Sequence, residues 1–323
     1  MIEDRSCRSA SLGVSALPLA GAPRGPLKPM AAPPLVFDRP LARRRLQRAH
    51  AGGGFVDFLA HRAAEDLAFR LSTVKRSFAT ALDLGSVTGH VSETLAQAGG
   101  LRIVRAAPGP GLGGDVVADE EALPFAAQAF DLVASVLALQ GVNDLPGALV
   151  QIRRALKPDG LFIGCLLGGG TLGELRQAFT AAEAEAEGGV SPRVAPFADV
   201  RDMGGLLQRA GFALPVADTE TVTVRYPHAL ALLADLRGMG ATSTLLDRRR
   251  QPLRRATLMR MAAIYHDRFA APDGRISATF DMIWLSGWAP HDSQQRPLRP
   301  GSAKVRLADA LGTREIKLPP GEG

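Results

Sequence analysis

A glycine-spaced turn at residues 83–89 carries the residue types that point most directly to ligand binding. It reads Asp-Leu-Gly-Ser-Val-Thr-Gly and lies between an apolar run and a segment of helical periodicity. Gly85 allows a tight turn, and Gly89 is expected to let the following helix pack close to the preceding strand. The N–H groups at the start of that helix are free to bind a polar ligand. Taken alone, the spacing fits an ordinary strand-to-helix turn equally well.

Carboxylates follow this turn further along the chain. Asp119 and Glu120 open the segment Asp-Glu-Glu-Ala-Leu-Pro-Phe, directly after a short apolar run at 115–118. Two more segments come after it, Phe-Asp-Leu-Val at 130–133 and the predicted turn Lys-Pro-Asp-Gly at 157–160. The acidic pair either contacts a ligand at a sheet edge or forms a solvated turn, and the residue types alone leave both readings open.

Alternating strands and helices must position these residues. We predict strands at 79–84, 101–107, 115–118, 130–139, 161–167, 219–225 and 277–288. We predict helices at 90–98, 145–156, 172–187 and 200–210, with two more before residue 70. Strands that alternate with helices at this spacing indicate βαβ units and a parallel sheet, so the fold class is α/β.

The chain divides into six predicted segments. Residues 1–33 are a disordered tail rich in Ala, Pro, Gly and Ser, with Met30 as an alternative start. Residues 34–78 form an N-terminal helical cap, 79–226 a core, 227–275 a helical insertion, 276–289 the last strand of the core, and 290–323 a polar C-terminal tail. No apolar stretch reaches the length that a membrane-spanning helix needs.

The ordered series of motifs resembles the class I S-adenosylmethionine (SAM)-dependent methyltransferases of type 11. Further segments resemble one subfamily, the mitochondrial complex I assembly factor 5 family and its alphaproteobacterial relatives. The resemblance spans roughly residues 34–312. The segments that carry it are Pro-Leu-Val-Phe-Asp at 34–38, Val-Asn-Asp-Leu-Pro at 142–146, Gly-Gly-Gly-Thr-Leu at 168–172, Glu-Gly-Gly-Val-Ser-Pro at 187–192, Gly-Trp at 287–288 and Gly-Ser-Ala at 301–303.

This resemblance implies a Rossmann-like seven-stranded sheet with an N-terminal helical cap and a helical insertion before the last strand. It implies SAM as cofactor and a protein substrate, such as a complex I subunit, modified by methylation or by arginine hydroxylation. The catalytic residue is not identified. The SAM-binding residues implied by the family are Asp83, Gly85, Ser86 and Gly89 at the loop, and Asp119 and Glu120 at the adenine.

Three positions depart from the family pattern. Val87 replaces the middle glycine of the loop, and a residue near Ala106 replaces the carboxylate that holds the ribose hydroxyls. Gln140-Gly141 stands where the family has His-Trp. A branched side chain at Val87 would be strained if that position needs a positive φ. The departures favour an alternative function, a non-catalytic assembly chaperone on a degenerate methyltransferase fold.

The formal charge of +6 favours acidic partners. Arg248, Arg249, Arg250, Arg254 and Arg255 predict either a solvated helix face or a docking patch for an acidic protein or a peripheral membrane contact. The basic runs lack interleaved aromatic residues, which argues against nucleic acid. Scattered histidines and two cysteines predict no metal site and no disulfide framework. We expect a cytoplasmic protein in a bacterium, or a mitochondrial matrix protein in a eukaryote.

Overall fold

A mixed seven-stranded sheet organises the part of the chain that the computed structural model describes, residues 35–97, 99–295, 309 and 312–313. Its order is β3-β2-β1-β4-β5-β7-β6; β7 is antiparallel to both its neighbours and the other pairs are parallel. This is the predicted Rossmann-like methyltransferase sheet. The strands are β1 (Thr80–Leu84), β2 (Arg102–Ala107), β3 (Val116–Val117), β4 (Phe130–Val136), β5 (Leu156–Leu167), β6 (Ala213–Tyr226) and β7 (Ile276–Trp288).

Eight α-helices surround the sheet among these residues. They are α1 (Arg39–Ala51), α2 (Phe58–Ser72), α3 (His90–Gln97), α4 (Leu145–Ala155), α5 (Gly173–Glu187), α6 (Val200–Arg209), α7 (Ala229–Gly238) and α8 (Arg255–Phe269). Helix α1 starts where it does because Asp38 accepts a hydrogen bond from the Leu41 N–H at 3.0 Å and Pro40 fits the first turn.

Apolar side chains cover both faces of the sheet, which explains the unbroken apolar runs of β4 and β5. One face packs against α4 and α6, through residues such as Leu149 and Leu207. The other face packs against α2 and α3, through Leu67 and Leu95. A third apolar cluster joins α5, α7 and α8. The helices therefore leave the carboxyl ends of β1, β4 and β5 free to border a cavity.

The prediction that a turn at 157–160 separates α4 from β5 is wrong, because these residues lie within β5. Strand pairing shifts between Phe130–Leu156 and Leu132–Leu161, so the four residues bulge out of the ladder. Asp159 has a φ of +60°, which supplies the local bend. The bulge lets β5 begin directly at the end of α4, five residues earlier than the apolar pattern indicates.

The insertion is less helical than predicted. Residues 239–254 between α7 and α8 are irregular apart from short turns. The expected helix face at Arg248–Arg250 is therefore wrong. This segment pairs instead with the chain before α1, since the Asp38 N–H donates to the Thr244 carbonyl at 2.8 Å and the Leu246 N–H to the Val36 carbonyl at 2.9 Å.

The chain divides into a compact unit up to Pro290 and a second unit from His291 onward. In the second unit the described residues are 291–295, 309 and 312–313, and the His291 ring hydrogen-bonds to the Ser293 hydroxyl at 2.7 Å. The motif at 301–303 lies outside the described residues. Helices long and apolar enough to cross a bilayer are absent from the described ranges.

Candidate functional site

A cavity of about 590 Å³ lies at the carboxyl ends of β1, β4 and β5. The glycine-spaced turn forms one wall through residues 85–88, and α1, near the N-terminus of the chain, covers the cavity. Helices α5 and α7 and the segment 239–244 form the opposite wall. Open α/β sheets bind ligands at this edge, so the cavity is the candidate site.

Gly85 is the residue that the fold requires in the turn. Its φ is +82°, and a Cβ at this position would lie 2.4 Å from the Cβ of Ala138. Its N–H donates to the Ala106 carbonyl at 2.8 Å. An L-residue would combine a left-handed backbone with a steric clash, so the turn passes close to the chain after β4 only because residue 85 is glycine.

Two polar side chains next to Gly85 are buried. Asp83 is fully buried, and its Oδ2 accepts from the Ser92 hydroxyl at 2.6 Å. Burial raises the pKa of this carboxyl group, while hydrogen bonds from Ser86 and Ser92 oppose the shift. Ser86 lines the cavity, so its hydroxyl is placed to contact a polar ligand as well as Asp83.

Gly89 and Val87 differ from expectation. Gly89 does not line the cavity, and a Cβ there would meet only the carboxylate end of Glu93 at 2.7 Å, so close helix–strand packing does not require glycine. Val87 lies outside the group of residues with positive φ, so the condition for strain is not met. Its half-buried side chain lines the cavity and takes space that a glycine would leave open.

Arginines of α1 cover the acidic turn, a feature that we did not predict. Arg39 forms ion pairs with Asp119, at 2.6 Å, and with Glu120, and Arg43 pairs with the other oxygen of Asp119. Burial opposes ionisation of Asp119, but hydrogen bonds from the Glu121 N–H and Arg43, with the charge of Arg39, lower its pKa. The signal in the sequence was the four-residue spacing of Arg39 and Arg43, which puts both on one helix face.

Glu120 is the member of the acidic pair that faces the cavity. It is buried and lines the cavity, whereas Asp119 does not. Its Oε1 lies 3.1 Å from the point where a Cβ on Gly85 would be. Ala106 is fully buried in β2 and brings no polar side chain to the ligand side. Among the described residues, the carboxylates that line the cavity are Glu120 and Asp57, and Asp57 forms a hydrogen bond with the His90 Nε2 at 2.8 Å.

Gln140 turns toward the backbone of its own turn. Its Nε2 donates to the Leu137 carbonyl at 2.7 Å, and its Oε1 is buried and unpaired. Gln140 lines the cavity, so this amide oxygen is a further acceptor near a ligand, where the family pattern has histidine.

Asn143 attaches the chain before α1 to the core. Its Oδ1 accepts from the N–H groups of Val36 and Phe37, both at 2.8 Å, and its Nδ2 donates to the Phe37 carbonyl at 3.2 Å. Asp144 caps α4 by accepting from the Gly147 N–H at 2.8 Å. The motifs at 34–38 and 142–146 are thus two halves of one contact, which fixes α1 over the cavity.

Glu183 holds the far wall of the cavity. This fully buried carboxylate accepts from the Ser191 N–H at 2.7 Å and from the Arg193 Nε at 2.8 Å. These hydrogen bonds and the Arg193 charge lower its pKa although burial opposes ionisation. The Arg193 guanidinium lies 5.5 Å from the centre of the Phe179 ring, and both residues line the cavity. The motif at 187–192 thus supports the cavity wall through Ser191, while the residues that line the cavity begin directly after it, at Arg193.

The Gly-Gly-Gly-Thr-Leu segment packs against β7. A Cβ on Gly170 would lie 1.9 Å from a carboxylate oxygen of Asp281. Thr171 does not cap α5; its hydroxyl exchanges hydrogen bonds with the Asp281 backbone, and Leu172 occupies the cap position with a φ of +53°. Leu172 is the residue of this segment that lines the cavity.

Within the described ranges, no group of three or more His, Cys, Asp or Glu side chains is arranged to hold a metal ion. His228 caps α7 by accepting from the Ala231 N–H at 3.1 Å. Cys165 is buried, and burial raises the pKa of its thiol. Neither residue lines the cavity.

A family profile described as "Methyltransferase domain" matches residues 82–164, from β1 into β5. The human protein "Arginine-hydroxylase NDUFAF5, mitochondrial" is 38% identical over 334 residues, which cover 99% of this chain and 93% of the relative. A "Malonyl-[acyl-carrier protein] O-methyltransferase" from Gallionella capsiferriformans is 32% identical over 84% of this chain and 97% of its own.

Among solved structures, the YcgJ protein from a Bacillus aligns with 71% of this chain and 99% of its own, at 14% identity and a TM-score of 0.48. The human relative is similar over nearly its whole length, and this agrees with the motifs, the sheet order and the cavity. The chain therefore belongs to the methyltransferase-like family of the arginine hydroxylase NDUFAF5.

Proposed function

We propose that this protein is a SAM-binding, methyltransferase-like enzyme that modifies an arginine of a protein substrate during the assembly of respiratory complex I, either by methylation or by hydroxylation with dioxygen and an external two-electron reductant. The observation that carries the proposal is the cavity at the sheet edge, bordered by the Gly85 turn and closed by α1. The relatives supply the reaction, since the NDUFAF5 proteins that match the chain are named arginine hydroxylases. The link to complex I comes from the family resemblance of the sequence motifs.

The residues around the cavity fit SAM. Residues 85–88 of the glycine-spaced turn line the cavity, and the buried Ser86 hydroxyl lies among them. We propose that Glu120 takes the hydroxyl-binding role that Ala106 cannot fill, because its carboxylate faces the glycine turn. Asp83 would fix the turn, Gly89 would begin the helix behind it, and Asp119 would hold Arg39 and Arg43. When bound, SAM supplies a sulfonium-activated methyl group.

The remaining wall suits an arginine side chain. Leu137, Leu172 and Phe179 offer an apolar surface for its methylene groups. Asp57 and the Gln140 Oε1 offer acceptors for its guanidinium. The proposal places the protein where complex I is assembled, in the cytoplasm of a bacterium or the matrix of a mitochondrion. The division into a cap at 34–78, a core and an insertion at 227–275 stays a prediction.

Calorimetric titration with SAM tests the cofactor. We expect Glu120→Gln to weaken SAM binding roughly 10- to 100-fold, because a hydrogen bond to a charged acceptor contributes about 1.5–3 kcal/mol. Glu185→Gln is the matched control, since Glu185 pairs with Arg260 on the surface and does not line the cavity. Mass spectrometry of the substrate then separates hydroxylation, a gain of one oxygen atom, from methylation, a gain of one methylene.

A non-catalytic assembly chaperone is the second candidate. The contact of Arg39 with Glu120 favours it, because this ion pair occupies the carboxylate that would bind the cofactor. Val87 narrows the same cavity, and Ala106 lacks the ribose acceptor. If the protein did not bind SAM at millimolar concentration but still bound its protein partner, the chaperone function would be supported and the enzymatic function refuted.

A further inference from the structure

Three arginines line a groove between α1 and α7, and no carboxylate of the described residues lines it with them. Its charged lining residues are Arg45, Arg48 and Arg237, and the other lining residues are Gly, Ala and one Thr. None of the three arginines forms an ion pair with a described residue, although Arg45 donates to the Ser243 carbonyl. In the basic run at 248–255, by contrast, Arg248 pairs with Asp38 and Arg249 with Glu187, while Arg250 and Arg255 are exposed.

Repulsion among the arginines of this groove destabilises helix α1. Arg45 and Arg48 lie three residues apart on α1, and Arg44 and Arg48 four apart, so like charges face one another. Burial, then the charges of Arg248 and Arg48, lower the pKa of Arg45, and the charge of Asp38 only partly opposes them. An anionic ligand would remove this repulsion.

The groove continues into the cavity. Arg237, Gly240 and Thr242 line both, so a chain bound in the groove leads to the cavity entrance. The floor contains Gly52, Gly54 and further small residues, which let a polypeptide backbone approach closely.

We propose that this groove docks an acidic segment of a protein substrate and directs the neighbouring residue into the cavity. The inference rests on the proposed function for the presence of a protein substrate. Aromatic side chains are absent from the groove lining in the described part of the chain, so it offers no stacking platform for bases. A concave groove also fits an extended chain better than a flat lipid surface. Carboxylates spaced along a peptide would pair with Arg48 and Arg237.

Fluorescence anisotropy with a labelled peptide of alternating Glu and Gly tests the docking surface on the full-length protein. We expect salt-sensitive binding, weakened roughly two- to fivefold by Arg48→Gln or Arg237→Gln alone, and further by the double variant. The control is the double variant Arg250→Gln, Arg255→Gln, which removes the same charge from exposed residues outside the groove. The peptide assay needs neither SAM nor turnover, so its failure is distinct from failure of the proposed function.

Three results would overturn the inference. The first is equal weakening in the control, which would make the effect one of net charge. The second is tighter binding of single-stranded RNA that the groove variants abolish. The third is that the protein binds vesicles of anionic lipid, that the groove variants weaken this binding, and that the peptide does not bind.

Discussion

Replacing Gly85 by alanine isolates what the turn demands of the fold. The φ of +82° costs an L-residue about 1–2 kcal/mol. The added Cβ would lie 2.4 Å from the Cβ of Ala138, and such overpacking costs about 1–3 kcal/mol. We therefore expect Gly85→Ala to lower the free energy of unfolding by roughly 2–5 kcal/mol, which leaves a domain of ordinary stability folded but weakened.

Urea unfolding followed by circular dichroism measures this loss, and two variants separate its parts. The double variant Gly85→Ala, Ala138→Gly removes the clash but keeps the strained backbone, so it should regain the part due to overpacking. Gly89→Ala is the matched control; its φ is not positive and its Cβ would meet only the flexible Glu93 carboxylate, so we expect a change below about 1 kcal/mol. A loss for Gly85→Ala no larger than that of Gly89→Ala would refute the reasoning.

Three more perturbations test the site. Arg193→Met leaves the buried Glu183 carboxylate without its cation, so the free energy of unfolding should fall by roughly 3 kcal/mol in urea titrations; an unchanged midpoint would contradict this. The pKa of Asp83 is raised in the folded protein. The stability contributed by its protonated form is therefore fully present below the ordinary carboxyl pKa and is lost as the pH rises through the raised pKa. The free energy of unfolding of Asp83→Asn should not fall over this pH range. If the free energy of unfolding of both proteins followed the same pH dependence, the buried carboxylate would not be its cause. Arg39→Met frees Glu120 and should change SAM affinity in calorimetry, while equal affinities would show that the ion pair is irrelevant to the ligand.

The sequence predicted the sheet well because its signals are local. Apolar runs separated by Gly, Pro and charged turns mark β1, β2, β4 and the second part of β5. The start of β6 was missed by six residues, since the alternation before Thr219 is interrupted by a register shift between Ala213 and Val216. The bulge in β5 was missed because Lys-Pro-Asp-Gly reads as a turn whether or not a strand continues through it.

The candidate site was only partly predictable. The Gly85 turn and Glu120 were found because their chemistry lies in short motifs. The partners of Glu120 and Asp119 were missed, since Arg39 and Arg43 lie about 80 residues away and no local rule joins them. The same holds for the Glu183–Arg193 pair, whose spacing of ten residues follows no helix or strand period.

The sequence by itself determined the glycine turn, the alternation of elements and hence the methyltransferase-like sheet, because turns and hydrophobic periodicity act over a few residues. Tertiary structure decided what the turn faces. It showed Val87 to be free of the positive φ that would strain it, directed Glu120 rather than Asp119 toward the cavity, and brought α1 over both through Asn143. It also separated Arg248 and Arg249, which form ion pairs, from the arginines of the groove, which form none with a described residue. Long-range ion pairs depend on how elements pack, and packing is the one property that no short stretch of sequence contains.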